Sequence, residues 1–211
     1  GGMLRYGIPN YRLERKTLDK DIEAILSAGV EVKTNISVGT DISLKELKED
    51  FDALYISIGA HIDKKIGLEN EEIANGVISA VEMLRAIGDD DMPDYTGKRV
   101  VVVGGGNVAM DVARSSMRLG AESVNIVYRR RKADMTALKS EIEGAEAEGC
   151  CVVELMSPKR IEMDDNNNVK GLWVQPQMIS KVKRGRPAPV NALTDEKLIE
   201  CDDNCSCGTG N

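Results

Sequence analysis

The stretch from Lys98 to Tyr128, KRVVVVGGGNVAMDVARSSMRLGAESVNIVY, constrains the fold of this chain more than any other. Val100 to Val103 is an unbroken run of β-branched residues, the composition of a parallel strand covered on both faces. It stops at Gly104-Gly105-Gly106. Asn107 to about Leu119 then reads as a helix, with Val108, Val112 and Leu119 near helical spacing on its apolar face and Gly120 as its stop. Ser123 to Tyr128 reads as a second strand. Strand, turn, helix and strand within about thirty residues make a βαβ unit.

The spacing Gly104-x-Gly106-x-x-Ala109 inside that unit fits the dinucleotide-binding fingerprint, with alanine in the third place. Gly104 suits the tight turn and Gly106 a close approach of backbone to a pyrophosphate, while Ala109 keeps the helix near the strand. Gly105 lies between them. The opening amides of the helix, from Asn107 and Val108 on, then face the phosphates with the positive end of the helix dipole. The competing reading is a merely flexible glycine turn, which the flanking strands and helix disfavour. The second strand runs into Arg129-Arg130-Arg131-Lys132, with no carboxylate at the junction to receive a ribose 2′-hydroxyl. A guanidinium fork suits a 2′-phosphate better than a diol, so the junction reads as NADP rather than NAD. The alternative is a solvated basic loop end, since four adjacent cations do not all face one phosphate.

The 211 residues carry 28 lysines and arginines against 35 acidic residues, a net charge of −7 that argues against a general nucleic-acid binder. A second basic cluster, Lys181, Lys183, Arg184 and Arg186, is read as a solvated loop or, more sharply, as a docking surface for an acidic electron-transfer partner. No apolar run reaches membrane-spanning length, and the first residues lack the pattern of a signal peptide, so a cytoplasmic location is expected. Cys201, Cys205 and Cys207 match no common zinc or cluster spacing, and no metal site is expected. His61 is the only histidine, and nothing beside it resembles a nucleophile elbow.

Along the rest of the chain, Leu13 to Ala28, Ser79 to Ile87 and Leu138 to Glu148 read as helices. Ser43 and Glu46 form a capping box at the start of a short one. Val30 to Val38, Asp52 to Ile58, Cys151 to Leu155 and Leu198 to Cys201 read as strands. Ile161 to Met163 and Val169 to Val174 form a hairpin about the turn Asp164 to Asn168. Alternating strands and helices give an α/β fold with a parallel sheet. The strands fall into two groups, so two lobes are expected: residues 1–60, a linker at 61–76, the dinucleotide-binding domain at 77–195, and a return segment with a disordered tail at 196–211.

Four ordered stretches carry a resemblance: GGMLRYGIPNYRL (1–13), FDALYISIGA (51–60), VVVGGGNVAMDVAR (101–114) and VYRRRKADM (127–135). Together they resemble the small (β) subunit of glutamate synthase and related two-dinucleotide flavoprotein reductases, including the adrenodoxin reductase type. The likeness runs from Gly1 to about Cys201. It implies a Rossmann-like NADPH domain plus part of a second, FAD-type Rossmann-like lobe at 1–60. It also implies hydride passage from NADPH to FAD, with electrons leaving to an iron–sulfur subunit. By position, Gly104, Gly106, Asn107, Val108 and Ala109 would line the pyrophosphate, and Arg129 with Arg130 would grip the 2′-phosphate. Glu141 falls near the nicotinamide side. Gly2, Met3 and Leu4 match a segment lying along the flavin, and Gly59 with Ala60 a turn that meets it. The family's first glycine fingerprint has no counterpart here, so the sequence reads as a portion of such a reductase, expected to bind NADPH and hold FAD poorly. The alternative is a non-catalytic dinucleotide-binding module. No catalytic side chain is expected, because the cofactors carry hydride chemistry.

Overall fold

The computed structural model describes residues 2–62, 64–183 and 186–206. Contacts divide the chain into two compact units: Gly1–Arg12 with Ile62–Asn211, and Leu13–His61. The first twelve residues therefore group with the larger unit, not with the rest of 1–60.

The larger unit opens with α1 (Met3–Tyr6), β1 (Val77–Ser79) and α4 (Ala80–Gly88), the intervening helices α2 (Arg15–Ser27) and α3 (Leu44–Asp50) belonging to the smaller unit. It continues with β2 (Arg99–Val103), α5 (Asn107–Arg118), β3 (Ser123–Tyr128), α6 (Lys139–Ala147) and β4 (Cys151–Glu154). Then come β5 (Met156–Met163), β6 (Val169–Lys183), β7 (Arg186–Asn191), β8 (Lys197–Glu200) and β9 (Asp203–Ser206). A parallel sheet runs β1-β9-β2-β3-β4. An antiparallel sheet runs β5-β6-β7, with β8 also paired to β6.

The valine run explains how the layers stack. Val100 and Val102 join Val124 and Ile126 of β3 in one core with Met110, Val112 and Ala113 of α5, Met83 and Leu84 of α4, and Ile142 of α6. Val101, Val103 and Val127 face the other way, into a second core with Ile161, Leu172 and Val174 of the antiparallel sheet. A strand buried on both faces has no polar side to alternate with, hence the unbroken apolar run. Val108, expected on the apolar face of α5, is exposed at the helix start, and Ala109 is buried instead.

Two expectations change. Against the expectation of a disordered tail, Asp203–Ser206 is an interior strand, parallel to both β1 and β2. Its polar sequence has no apolar signal. Its place is set by backbone pairing on two sides and by Arg99, whose guanidinium holds Asp202 at 2.9 Å and Glu200 at 2.6 Å as the chain enters the strand. Cys207 and Arg184 lie outside the described residues.

In the smaller unit, Val30 to Val38 and Asp52 to Ile58 form no strand, leaving only the bridge Val38↔Ile42. Val32, Phe51, Tyr55 and Ile58 are largely exposed. A strand needs a neighbour for its N–H and C=O groups, and within Leu13–His61 neither segment has one. The two helices there do form. α3 carries the complete capping box, with the Glu46 N–H donating to Ser43 Oγ at 3.2 Å and the Ser43 N–H to Glu46 Oε2 at 2.8 Å.

Candidate functional site

The glycine turn follows β2 at the carboxyl end of the parallel sheet. Gly104 has φ +150°, a backbone region that favours glycine. A Cβ on Gly105 would lie 2.6 Å from the Tyr128 ring. That ring is fixed by its hydroxyl, which donates to the Asp134 carbonyl at 3.0 Å. Thr136 and Ala137 both donate backbone N–H groups to the Gly105 carbonyl at 3.0 Å. The Leu138 N–H donates to Asn107 Oδ1 at 2.9 Å. These bonds strap residues 136–138 to the turn and leave the helix opening clear. Gly106 provides no side-chain cap, and the N–H groups of Gly106, Asn107 and Val108 have no acceptor among the described residues.

Beside this turn lies an open cavity of about 550 Å³. Val103, Gly104 and Gly105 contribute from the end of β2, and Val127, Tyr128 and Arg129 from the end of β3. Ser157 to Lys159 come from β5, and Lys64 to Leu68 close the rim. The outer end of parallel strands is where open α/β sheets bind ligands. Four cations, Lys64, Lys65, Arg129 and Lys159, line the cavity and no carboxylate does, in a chain of net charge −7. Lys65 leans toward Glu72 at 3.4 Å. Lys64, Arg129 and Lys159 have no hydrogen-bond or ion-pair partner among the described residues. The rim loop is shaped by Glu71, whose buried carboxylate accepts N–H groups from Ile66 at 3.1 Å, Gly67 at 2.6 Å and Leu68 at 3.0 Å.

The structure separates the arginine run. Arg129 reaches the cavity. Arg130 does not line it; its Nε donates to the Pro187 carbonyl at 3.0 Å and secures β7. Arg131 pairs with Asp134 at 2.8 Å, and Lys132 with Glu146 at 2.7 Å. Glu141 is also occupied elsewhere, with its oxygens 3.0 Å from Arg114 and 3.4 Å from Arg12. Gly2, Met3 and Leu4 lie in and before α1, which packs on α4. Gly59 and Ala60 belong to the smaller unit and line no described cavity. No local signal marks Lys64, Lys65 or Lys159, which only the tertiary fold brings to the glycine turn. Among the described residues no group of three or more His, Cys, Asp or Glu side chains is placed to hold a metal ion. No helix among them is long and apolar enough to cross a membrane.

The family model described as pyridine nucleotide-disulphide oxidoreductase matches residues 6–174. The chain belongs to this family. It is 41% identical over 204 residues to the NADP(+)-dependent formate dehydrogenase subunit beta of Moorella thermoacetica. That match covers 96% of this chain and 29% of the relative. It is 34% identical over 213 residues to the glutamate synthase [NADPH] small chain of Escherichia coli K12, covering 96% and 45% respectively. The chain thus spans less than half the length of these curated relatives. Its fold is similar to that of Mycobacterium tuberculosis FprA, solved in complex with NADPH, with a TM-score of 0.76 at 19% identity over 98% of this chain and 61% of that one.

Proposed function

We propose that the larger unit is the NADP(H)-binding portion of a flavin-dependent oxidoreductase of the glutamate synthase small-subunit kind. The observation that carries this reading is the acid-free cavity, lined by four cations and by Gly104 and Gly105, beside a helix start whose opening amides have no acceptor among the described residues. The groups present fit the ligand. The Gly106, Asn107 and Val108 amides suit a pyrophosphate, and Gly104 and Gly105 leave it room. Arg129, with Lys64 and Lys159, suits a 2′-phosphate. Held by these groups, NADPH would supply the hydride for reduction of a flavin, whose electrons would pass on to an iron–sulfur or other acceptor. The residues of this chain bind and orient, and none is assigned a covalent or acid–base role. By resemblance, Gly2, Met3, Leu4, Gly59 and Ala60 are assigned to the FAD side. By the same resemblance Glu141 is assigned to the nicotinamide side, and its oxygens meet Arg12 and Arg114. The names of the relatives, NADP(+)-dependent and NADPH-linked, support the choice of nucleotide.

Titration of NADPH fluorescence with the purified chain tests this reading. Saturable binding that Arg129→Ala weakens at least tenfold supports it, and no enhancement at any protein concentration contradicts it. A second reading, a dinucleotide-binding module without turnover, draws on the smaller unit, where neither strand-like segment pairs. Flavin absorbance that survives desalting would exclude that module.

A further inference from the structure

Six side chains of alternating charge run from the N-terminal segment across α5 and α6. Arg12 binds both oxygens of Asp111, at 3.0 and 2.7 Å, and its Nε lies 3.4 Å from Glu141. Glu141 meets Arg114 at 3.0 Å, Arg114 meets Glu148 at 2.8 Å, and Glu148 meets Arg118 at 2.7 Å. The Tyr11 ring lies under two of these cations, 4.5 Å from the Arg114 guanidinium carbon and 3.9 Å from that of Arg118. Arg12 is the last residue of the N-terminal segment within the larger unit.

Asp111 is the member that bears on the site. It stands four residues into α5 from Asn107, about 6 Å along the axis. It is only 4% exposed. A bare carboxylate there would oppose the attraction of the helix start for phosphate. The charged and titratable groups facing it are Arg12 and Tyr11 from the N-terminal segment, Arg114 from α5 and Glu141 from α6. Of these, Arg12 alone hydrogen-bonds to it among the described residues. Arg114 is taken up by Glu141 and Glu148.

We propose that Arg12 is a positioning residue for the dinucleotide: it cancels the Asp111 charge one helical turn from the pyrophosphate amides and keeps affinity independent of that carboxylate. The proposal rests on the NADP(H) reading above. Burial raises the Asp111 pKa, and Arg12 opposes that rise. Without Arg12, Asp111 either repels the ligand or takes up a proton, so affinity becomes pH-dependent.

The test is calorimetric titration of the whole chain with NADP⁺ at about pH 8 and about pH 5.5, read as the ratio of variant to wild-type Kd so that titration of the ligand cancels. Arg12→Ala is expected to weaken binding roughly five- to tenfold at the higher pH and to approach wild type at the lower. Adding Asp111→Asn is expected to restore affinity to within about twofold and flatten the pH dependence. If Arg12→Ala does not fold, Arg12→Gln, which keeps the stem without the charge, serves in the same comparison. A ratio near one at both pH values overturns the proposal. So does a weakening that is equal at both, or one that Asp111→Asn does not relieve, since either marks a purely structural role. Wild-type protein that binds no NADP⁺ overturns the functional reading itself, which distinguishes the two failures.

Discussion

Arg129 and Arg130 are neighbours with different duties. Arg129 lines the cavity with no partner among the described residues, whereas Arg130 anchors β7 through the Pro187 carbonyl. Arg129→Ala should therefore weaken 2′-phosphorylated ligands by roughly ten- to a hundredfold, the range of a charge-assisted phosphate contact, with little loss of stability. Arg130→Ala should do the reverse, leaving affinity within about threefold and lowering stability by about 1 kcal/mol. Parallel ligand and urea titrations of the two variants separate these outcomes. Gly105→Ala places a methyl group 2.6 Å from the Tyr128 ring. It should cost about 1–3 kcal/mol, read as a lower Tm, and should weaken NADP⁺ binding as the turn shifts. The glycine spacing was legible in the sequence because backbone geometry at a turn is local. The split of the RRRK run was not. Each cation looks alike until Asp134, Glu146 and Pro187 are placed around it.

At the scale of elements, local signals hold where local chemistry decides. Ser43 caps its helix as expected, Ser79 stands as the cap of α4 rather than as its first residue, β3 has the expected ends, and Asp164 closes its hairpin by accepting the Asn166 and Asn168 N–H groups. Strands that depend on a neighbour depart from the local pattern in both directions. Asp203–Ser206 has no apolar pattern yet pairs on two sides, and Asp52 to Ile58 has the pattern yet forms no strand. Pairing, not propensity, decided both. The α5–α6 ion chain makes a pH prediction. The Arg118 guanidinium first, then Arg114, lower the Glu148 pKa from 4.5 to about 2 against partial burial. The folded value is depressed, so this stabilisation is fully present above 4.5 and is lost as the pH falls toward 2. Glu148→Gln should be less stable at neutral pH by about 1–3 kcal/mol, and its urea midpoint should fall less steeply than that of wild type through that window.

At the scale of the whole molecule, the two units differ in how their backbones are held. The larger one buries its strands between helices on one side and an antiparallel sheet on the other. The smaller one leaves the stretch from Val30 to Ile58 largely unpaired outside α3, with Tyr55 89% and Ile58 75% exposed. Local stability follows packing and protected hydrogen bonds. Hydrogen exchange should therefore label residues 30–42 and 51–61 within seconds, while β2 and β3 resist for far longer; uniform protection would contradict this division. The fold class was legible because one βαβ unit carries it. The acid-free cavity was not, because its four cations come from three separate segments. The most direct measurement is calorimetric titration of the intact chain with 2′,5′-ADP and with 5′-AMP under identical salt. If the cavity is a 2′-phosphate site, 2′,5′-ADP binds at least tenfold more tightly, and the preference disappears in Arg129→Ala. Equal affinities, or a preference that survives the loss of Arg129, would contradict the account.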